Sequence, residues 1–119
     1  MVNNQISDLS RRTRRFALSI VRLYGKLPKS NEAQIIGKQL LRSGTSVDAH
    51  YSEANFAKSN KDFVNKIQGC LQELEETVYW LDLLNDAGIV RSDPLAPIQK
   101  ETRELIAIFV TIAKKVKSR

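Results

Sequence analysis

The most regular hydrophobic pattern of this chain lies in its C-terminal quarter. From residue 95 onward, apolar positions recur at alternating intervals of 3 and 4 residues, and only Thr102 interrupts the series. This spacing is typical of a helix that packs lengthwise against other helices. The segment from Leu105 to Val110 is apolar on all sides, which predicts burial on more than one side. The series consists of Leu95, Ile98, Thr102, Leu105, Phe109, Ile112 and Val116.

Three more segments carry apolar residues at helical spacing, and no alternating pattern of useful length favours a β-strand. The connections between the segments are short, which favours antiparallel neighbours. We therefore predict an all-α protein with one domain over residues 1–119, folded as an antiparallel up-down-up-down four-helix bundle. The predicted helices lie at about residues 4–25, 31–54, 60–87 and 94–117.

Capping and helix-breaking residues set these boundaries. Gly25 and Pro28 end the first helix, because glycine accepts a left-handed cap and proline cannot extend the hydrogen-bond ladder. Gly44, within the second helix, predicts a close contact with a neighbouring helix. The other signals are Ser30 or Asn31 as a cap with Gln34, Ser59 with Asp62 as a capping box, Gly88 as a terminator, and Asp93 as an N-cap followed by Pro94.

Positive charge is concentrated in two parts of the chain. The net charge is +6: residues 1–29 carry +6 and residues 93–119 carry +3, whereas residues 59–92 carry −3. An antiparallel bundle places the start of the first helix, the connection between the second and third, and the end of the fourth at one pole. The cations expected there are Arg11, Arg12, Arg14, Arg15, Lys58, Lys61, Lys114, Lys115, Lys117 and Arg119.

This basic pole has two interpretations. It is either a solvated face with cations that favour a helix C-terminus, or a surface that binds phosphates. No aromatic residue is interleaved with the cations, so we do not expect base stacking. Phosphate contacts of this kind give affinity with little choice of sequence.

The sequence gives little support for catalysis, a metal site or a cofactor. Ser46, His50 and Glu53 share one face of the second helix, and three residues stacked along one helix cannot converge as a catalytic triad. A di-iron bundle needs two histidines, whereas this chain has 1. The single Cys70 is most simply a small core residue in a reducing compartment. No apolar run approaches the roughly 20 residues that span a bilayer, so we expect a cytoplasmic protein.

Motifs in the second and third helices carry a family resemblance. They are QLLRSGTSVDAHYSEA (Gln39–Ala54), KDFVNKI (Lys61–Ile67) and ELEETVYWLDLL (Glu73–Leu84). With Leu27-Pro28 upstream, the chain from Asp8 to Val116 resembles the four-helix-bundle family of the 23S rRNA intervening-sequence proteins. Accessory proteins of diversity-generating retroelements share that fold. The chain departs from the family pattern at His50, where asparagine is usual, and at Asp48, where glycine or another small residue is usual.

The resemblance implies a homopentamer of four-helix subunits, a basic surface that engages nucleic acid, and no enzymatic activity. Our leading hypothesis is therefore a non-enzymatic, oligomeric protein that binds RNA or an RNA–DNA intermediate through phosphates. The alternative is a pentameric scaffold that recruits a protein partner, such as a reverse transcriptase. Residues that either hold the subunit together or form the oligomer interface are Arg42, Ser46, His50, Tyr79 and Trp80.

Overall fold

A computed structural model describes the backbone of residues 2–118 and the side chains of residues 8–118. No strand occurs within this part of the chain, and the helices form a bundle of 47 × 21 × 19 Å. The prediction of an all-α four-helix fold is confirmed, and each helix begins and ends within two residues of its expected position. The helices are α1 (Val2–Gly25), α2 (Asn31–Ala54), α3 (Asn60–Asp86) and α4 (Ser92–Lys117).

Consecutive helices pack side by side and run in opposite directions. Tyr24, at the end of α1, donates a hydrogen bond from its hydroxyl to Gln34 Oε1 near the start of α2, at 3.0 Å. Gln99, early in α4, donates from Nε2 to Asp82 Oδ1 late in α3, also at 3.0 Å. Helix α1 packs mainly on α2, and α4 mainly on α3, so α1 and α4 contact each other over a short stretch only.

The apolar series of α4 faces the core. Thr102 is buried, and its hydroxyl donates to Ile98 O at 2.7 Å, so a polar residue fits the series because its hydrogen bond is made within the helix. Phe109 packs against Tyr51 of α2, with ring centroids 5.5 Å apart. The largest fully buried side chains include Phe16, Ile20, Leu40, Val47, Ile67, Leu74, Leu81, Leu84, Leu95, Leu105 and Phe109.

Gly44 lies where α1 and α2 approach closely, as predicted. A Cβ at this position would stand 2.7 Å from Ile20 Cγ1 and 3.1 Å from Ile20 Cβ. No side chain fits there unless α1 moves, so the glycine sets the distance between the two helices.

Of the predicted N-terminal caps, that of α3 is found in the structure, whereas those of α4 and α2 differ. Ser59 accepts a hydrogen bond from the Asp62 amide at 3.0 Å, which confirms the cap of α3. The Asp62 carboxylate accepts from the Lys58 amide instead of the Ser59 amide, so the predicted capping box is only half formed. Helix α4, however, begins at Ser92 with Arg91 as its N-cap, so the assignment of Asp93 as N-cap is wrong. Asn85 explains the earlier start, since its amide donates to Val90 O and Ser92 Oγ, both at 3.1 Å, and thereby holds the connection.

The predicted cap of α2 is also different. Ser30 occupies the N-cap position, but its side chain makes no capping hydrogen bond to the backbone. Gln34 does not complete a capping box with Asn31, because its amide donates instead to Pro28 O at 2.8 Å while its carbonyl accepts from Tyr24. The side chain therefore stabilises the α1–α2 connection.

Candidate nucleic-acid interface

The first part of α1, the α2–α3 connection and the last turns of α4 meet at one end of the bundle, as the antiparallel topology predicts. Asn55 Nδ2 donates to Ser10 Oγ at 3.3 Å and links the connection to α1. A cleft of about 1020 Å³ opens between the three segments, and three predicted cations line it: Arg12, Lys58 and Lys115. We call this region the basic end. It comprises residues 8–15, 55–63 and 107–118.

Arg12 is committed to a contact between α1 and α4. Its Nε and one terminal nitrogen donate to the two carboxylate oxygens of Glu101, each at 2.7 Å, and the same terminal nitrogen donates to Glu104 at 2.8 Å. The hydrogen bond to Glu101 is the main reason why the pKa of Arg12 is raised. A half-buried, bidentate guanidinium already satisfied by two carboxylates is a structural clamp and a poor phosphate ligand.

Arg14 and Arg11 are also paired within the chain. Arg14 Nε donates to Asp48 Oδ2 at 2.7 Å, and the buried Thr13 hydroxyl donates to Asp48 Oδ1 at 2.8 Å. Asp48, one of the two positions that depart from the family pattern, thus binds α2 to α1. Arg11 forms an exposed pair with Asp8, one helical turn away.

The other predicted cations form no ion pair with any described residue. They are exposed, whereas nearby carboxylates are engaged: Glu53 with Lys66 at 3.3 Å, and Asp62 with the Lys58 amide at 3.2 Å. The basic end therefore carries a surplus of positive charge that the described acids leave uncompensated. These cations are Arg15, Lys58, Lys61, Lys114, Lys115 and Lys117, and Arg119 lies outside the described residues.

An exposed aromatic residue also belongs to the basic end, which corrects our expectation that no aromatic residue accompanies its cations. Phe56, in the α2–α3 connection, is 84% exposed, the highest value among the exposed large hydrophobic residues of the described chain. The sequence contained a signal for it, because Phe56 stands two residues before Lys58 in a segment with no helical apolar spacing.

Three of the residues predicted for an oligomer interface lie on α2: Arg42, Ser46 and His50. Arg42 pairs with Glu73 at 3.3 Å and with Glu76, and His50 Nε2 lies 3.5 Å from Glu73 Oε2. Ser46 donates its hydroxyl hydrogen to Arg42 O at 2.6 Å. The Arg42 and His50 contacts hold α2 against α3 within one subunit, whereas the Ser46 bond lies within α2. The interface role of these residues stays a prediction.

Tyr79 and Trp80 differ in exposure. Tyr79 is 57% exposed and meets the Trp80 ring edge-on, with centroids 4.8 Å apart. Trp80 packs partly against the core, and its buried indole Nε1 has no acceptor among the described residues. Tyr79 is the one exposed large hydrophobic that the described parts of α3 and α4 show. Leu18, Val21 and Ile35 expose apolar surface on α1 and α2.

The candidate chemistry of the sequence is not assembled into a site. The Ser46 hydroxyl hydrogen is directed to a backbone carbonyl, and Glu53 is paired with Lys66, so Ser46, His50 and Glu53 do not form a relay. Cys70 is buried, and burial raises the pKa of its thiol to about 12. No three metal-ligating side chains are grouped within the described chain, and none of its helices is long and apolar enough to cross a membrane.

Comparisons with known proteins agree with this architecture. The model of the 23S rRNA-intervening sequence protein family matches residues 7–111. A crystal structure from Bacteroides thetaiotaomicron, described as a protein of unknown function from the S23 ribosomal protein family, is 35% identical to this chain. The alignment covers 88% of this chain and 97% of that one, with a TM-score of 0.84. A search of curated proteins found no match. The chain belongs to the 23S rRNA-intervening sequence protein family.

Proposed function

We propose that this protein is a non-enzymatic, oligomeric nucleic-acid-binding protein that contacts phosphates of RNA or of RNA–DNA through its basic end. One observation carries the proposal. Exposed cations from three separate segments converge at this end without ion pairs to described residues, while the neighbouring carboxylates are already engaged. Such a surface attracts a polyanion, because the release of condensed counterions drives binding.

The type of contact determines the expected specificity. Lysine ammonium groups on exposed helix ends act as mobile point charges, and they do not present the fixed fork that reads a base edge. Binding through them should therefore depend steeply on salt and weakly on sequence. The family name refers to an intervening sequence of 23S rRNA, so structured RNA is the first ligand to test.

An oligomer strengthens this mode of binding. The resemblance noted in the sequence implies a pentamer, and Leu18, Val21, Ile35 and Tyr79 supply exposed apolar surface for subunit contacts. Several basic ends on one particle raise the overall affinity for a long nucleic acid, since each further contact is made at high effective concentration.

A second candidate function rests on the same apolar residues. In this alternative the pentamer is a scaffold that recruits a protein partner, such as a reverse transcriptase, and the positive charge serves solubility only. The exposure of Leu18, Val21, Ile35 and Tyr79 favours it, because these residues lie outside the basic end. Salt dependence separates the two functions, since apolar burial is insensitive to moderate salt.

The experiment compares two variants that lose the same charge. The test variant replaces Lys61, Lys114, Lys115 and Lys117 by glutamine, and the control replaces Lys26, Lys29, Lys38 and Arg91 in the opposite half of the bundle. All eight residues are exposed and form no ion pair with described residues. Arg12 and Arg14 are left intact because they support the fold.

Affinity for two unrelated RNAs is measured by fluorescence anisotropy over a range of salt concentrations. The test variant should lose affinity equally for both RNAs, and the slope of log K against log salt should decrease by roughly 1 for each phosphate contact removed. The control should retain most of the slope. Equal losses of RNA affinity in both variants would show that net charge alone, and not the basic end, determines binding. A wild type that shows no salt-dependent binding of RNA would favour the scaffold function.

A further inference from the structure

Phe56 is held outward by a well-defined backbone. The Phe56 amide donates to Glu53 O at 3.0 Å, and the next amide, of Ala57, donates to Ala54 O at 3.1 Å. These bonds continue the end of α2 as a turn, so the ring is presented from an ordered segment. Its 84% exposure means that the ring contributes almost nothing to the core.

Phe56 shares the α2–α3 connection and the start of α3 with cations unpaired among the described residues, whereas the carboxylates of Glu53 and Asp62 in the same stretch are engaged by Lys66 and by the Lys58 amide. Lys58 and Lys61 follow Phe56 in the chain, and both are exposed without an ion pair to any described residue. The cleft beside the connection is lined by Ala57, Lys58 and, from α4, Lys115. An occupant of this surface must therefore offer a flat apolar group to the ring and negative charge to the flanking lysines.

A second copy of the same end does not meet these requirements, because two basic ends repel each other. An unpaired nucleotide in a nucleic-acid strand meets both requirements, since its base has a flat face and its two flanking phosphates are anionic. Bases within a duplex are stacked on each other and have no exposed face for a side chain, whereas bases in loops, bulges and single strands do.

We propose that Phe56 is a stacking platform for an unpaired base, with Lys58 and Lys61 contacting the phosphates on either side. This inference rests on the proposed nucleic-acid function and narrows its ligand to RNA or DNA that contains unpaired nucleotides. Lysine contacts provide affinity for any strand, and the ring provides the preference for unpaired segments.

The first test compares Phe56→Ala with Phe56→Tyr, using a single-stranded oligonucleotide and a duplex of equal length. Phe56→Ala should weaken binding of the single strand by about 5- to 100-fold, the usual effect of removing one stacked aromatic. Binding of the duplex should change less than about twofold. Phe56→Tyr should restore the affinity for the single strand, because tyrosine retains the ring.

The second test uses Phe56→Trp as a local reporter. Addition of the single strand should quench its added fluorescence with the same midpoint as the anisotropy titration. The wild type has Trp80 as its single tryptophan, near the end of α3 that is remote from the α2–α3 connection, so it gives the baseline and should show little quenching.

The outcomes separate this inference from the proposed function. If Phe56→Ala binds the single strand as tightly as wild type, and both bind in a salt-dependent manner, the platform is excluded while the phosphate contacts remain. An equal loss for single strand and duplex would also exclude the platform. A change of particle mass in light scattering would identify the ring as a subunit contact, and Phe56-dependent binding of an aromatic, glutamate-rich peptide would identify a protein ligand.

Discussion

Arg12 shows how one side chain of a basic cluster can have a different role from its neighbours. Its guanidinium joins α1 to Glu101 and Glu104 of α4, two helices that otherwise contact each other little. The side chain of Arg12 is 31% exposed and that of Glu101 is 30% exposed. Hydrogen bonds between charged groups at this depth contribute more to stability than those of a fully exposed pair.

We predict that Arg12→Gln lowers the free energy of unfolding by about 1–2 kcal/mol, because two carboxylates on α4 lose their shared cation. Arg11→Gln is the matched control and should change the free energy by less than about 0.5 kcal/mol, since its pair with Asp8 is exposed. Urea denaturation followed by circular dichroism, at one fixed protein concentration, measures both. Equal stabilities of the two variants would show that the Arg12 contact is not a clamp.

The sequence predicted the cations of this region but could not divide them between structure and binding. Arg11, Arg12 and Arg14 look equivalent in the sequence, and their partners are assigned only when α1, α2 and α4 take their relative rotations. Thr13 illustrates the same limit, since its burial with Asp48 depends on a contact between residues 35 positions apart.

The four helices could be predicted from local sequence patterns, whereas the errors of prediction concern the caps at their N-termini. Apolar spacing fixes which residues form each helix, because burial of one face is the dominant stabilising interaction. Caps are less predictable, since several polar residues compete for the same position. The start of α4 depends on Asn85 of the preceding helix, whose amide donates to Val90 O and Ser92 Oγ. The local sequence of residues 92–94 does not show this contact.

Two mid-helix glycines should respond in opposite ways to the same substitution. Gly44→Ala would place a Cβ 2.7 Å from Ile20 Cγ1 and should destabilise the bundle by about 1–2 kcal/mol, because overpacking exceeds the gain in helix propensity. At Gly69, the nearest atoms are those of the His50 ring at 3.5 Å, an ordinary contact. Gly69→Ala should therefore stabilise the protein by about 0.5–1 kcal/mol. Thermal or urea denaturation of both variants measures the sign of each change in unfolding free energy. A stabilised Gly44→Ala would contradict the close approach of α1 and α2.

The whole molecule has two different halves. One end carries uncompensated cations and the exposed Phe56, and exposed apolar residues such as Ile35 and Tyr79 lie on the other half, on α2 and α3. The antiparallel topology allowed the basic end to be predicted, because it follows from helix order alone. The positions of the exposed apolar residues could not be predicted from helix order, since only the packed structure shows which helix faces remain uncovered.

This division suggests that assembly and nucleic-acid binding can be altered separately. We predict that the wild type forms an oligomer, and that Tyr79→Lys shifts it toward smaller species, because a charge in a subunit contact is costly to desolvate. Tyr79 is a better position for this test than Trp80, which packs partly against the core and whose replacement would also affect folding. Phe56→Ala, at the basic end, should leave the oligomer unchanged. Multi-angle light scattering at micromolar concentration measures the masses, and a wild type that shows only the 13.5 kDa subunit would contradict the prediction.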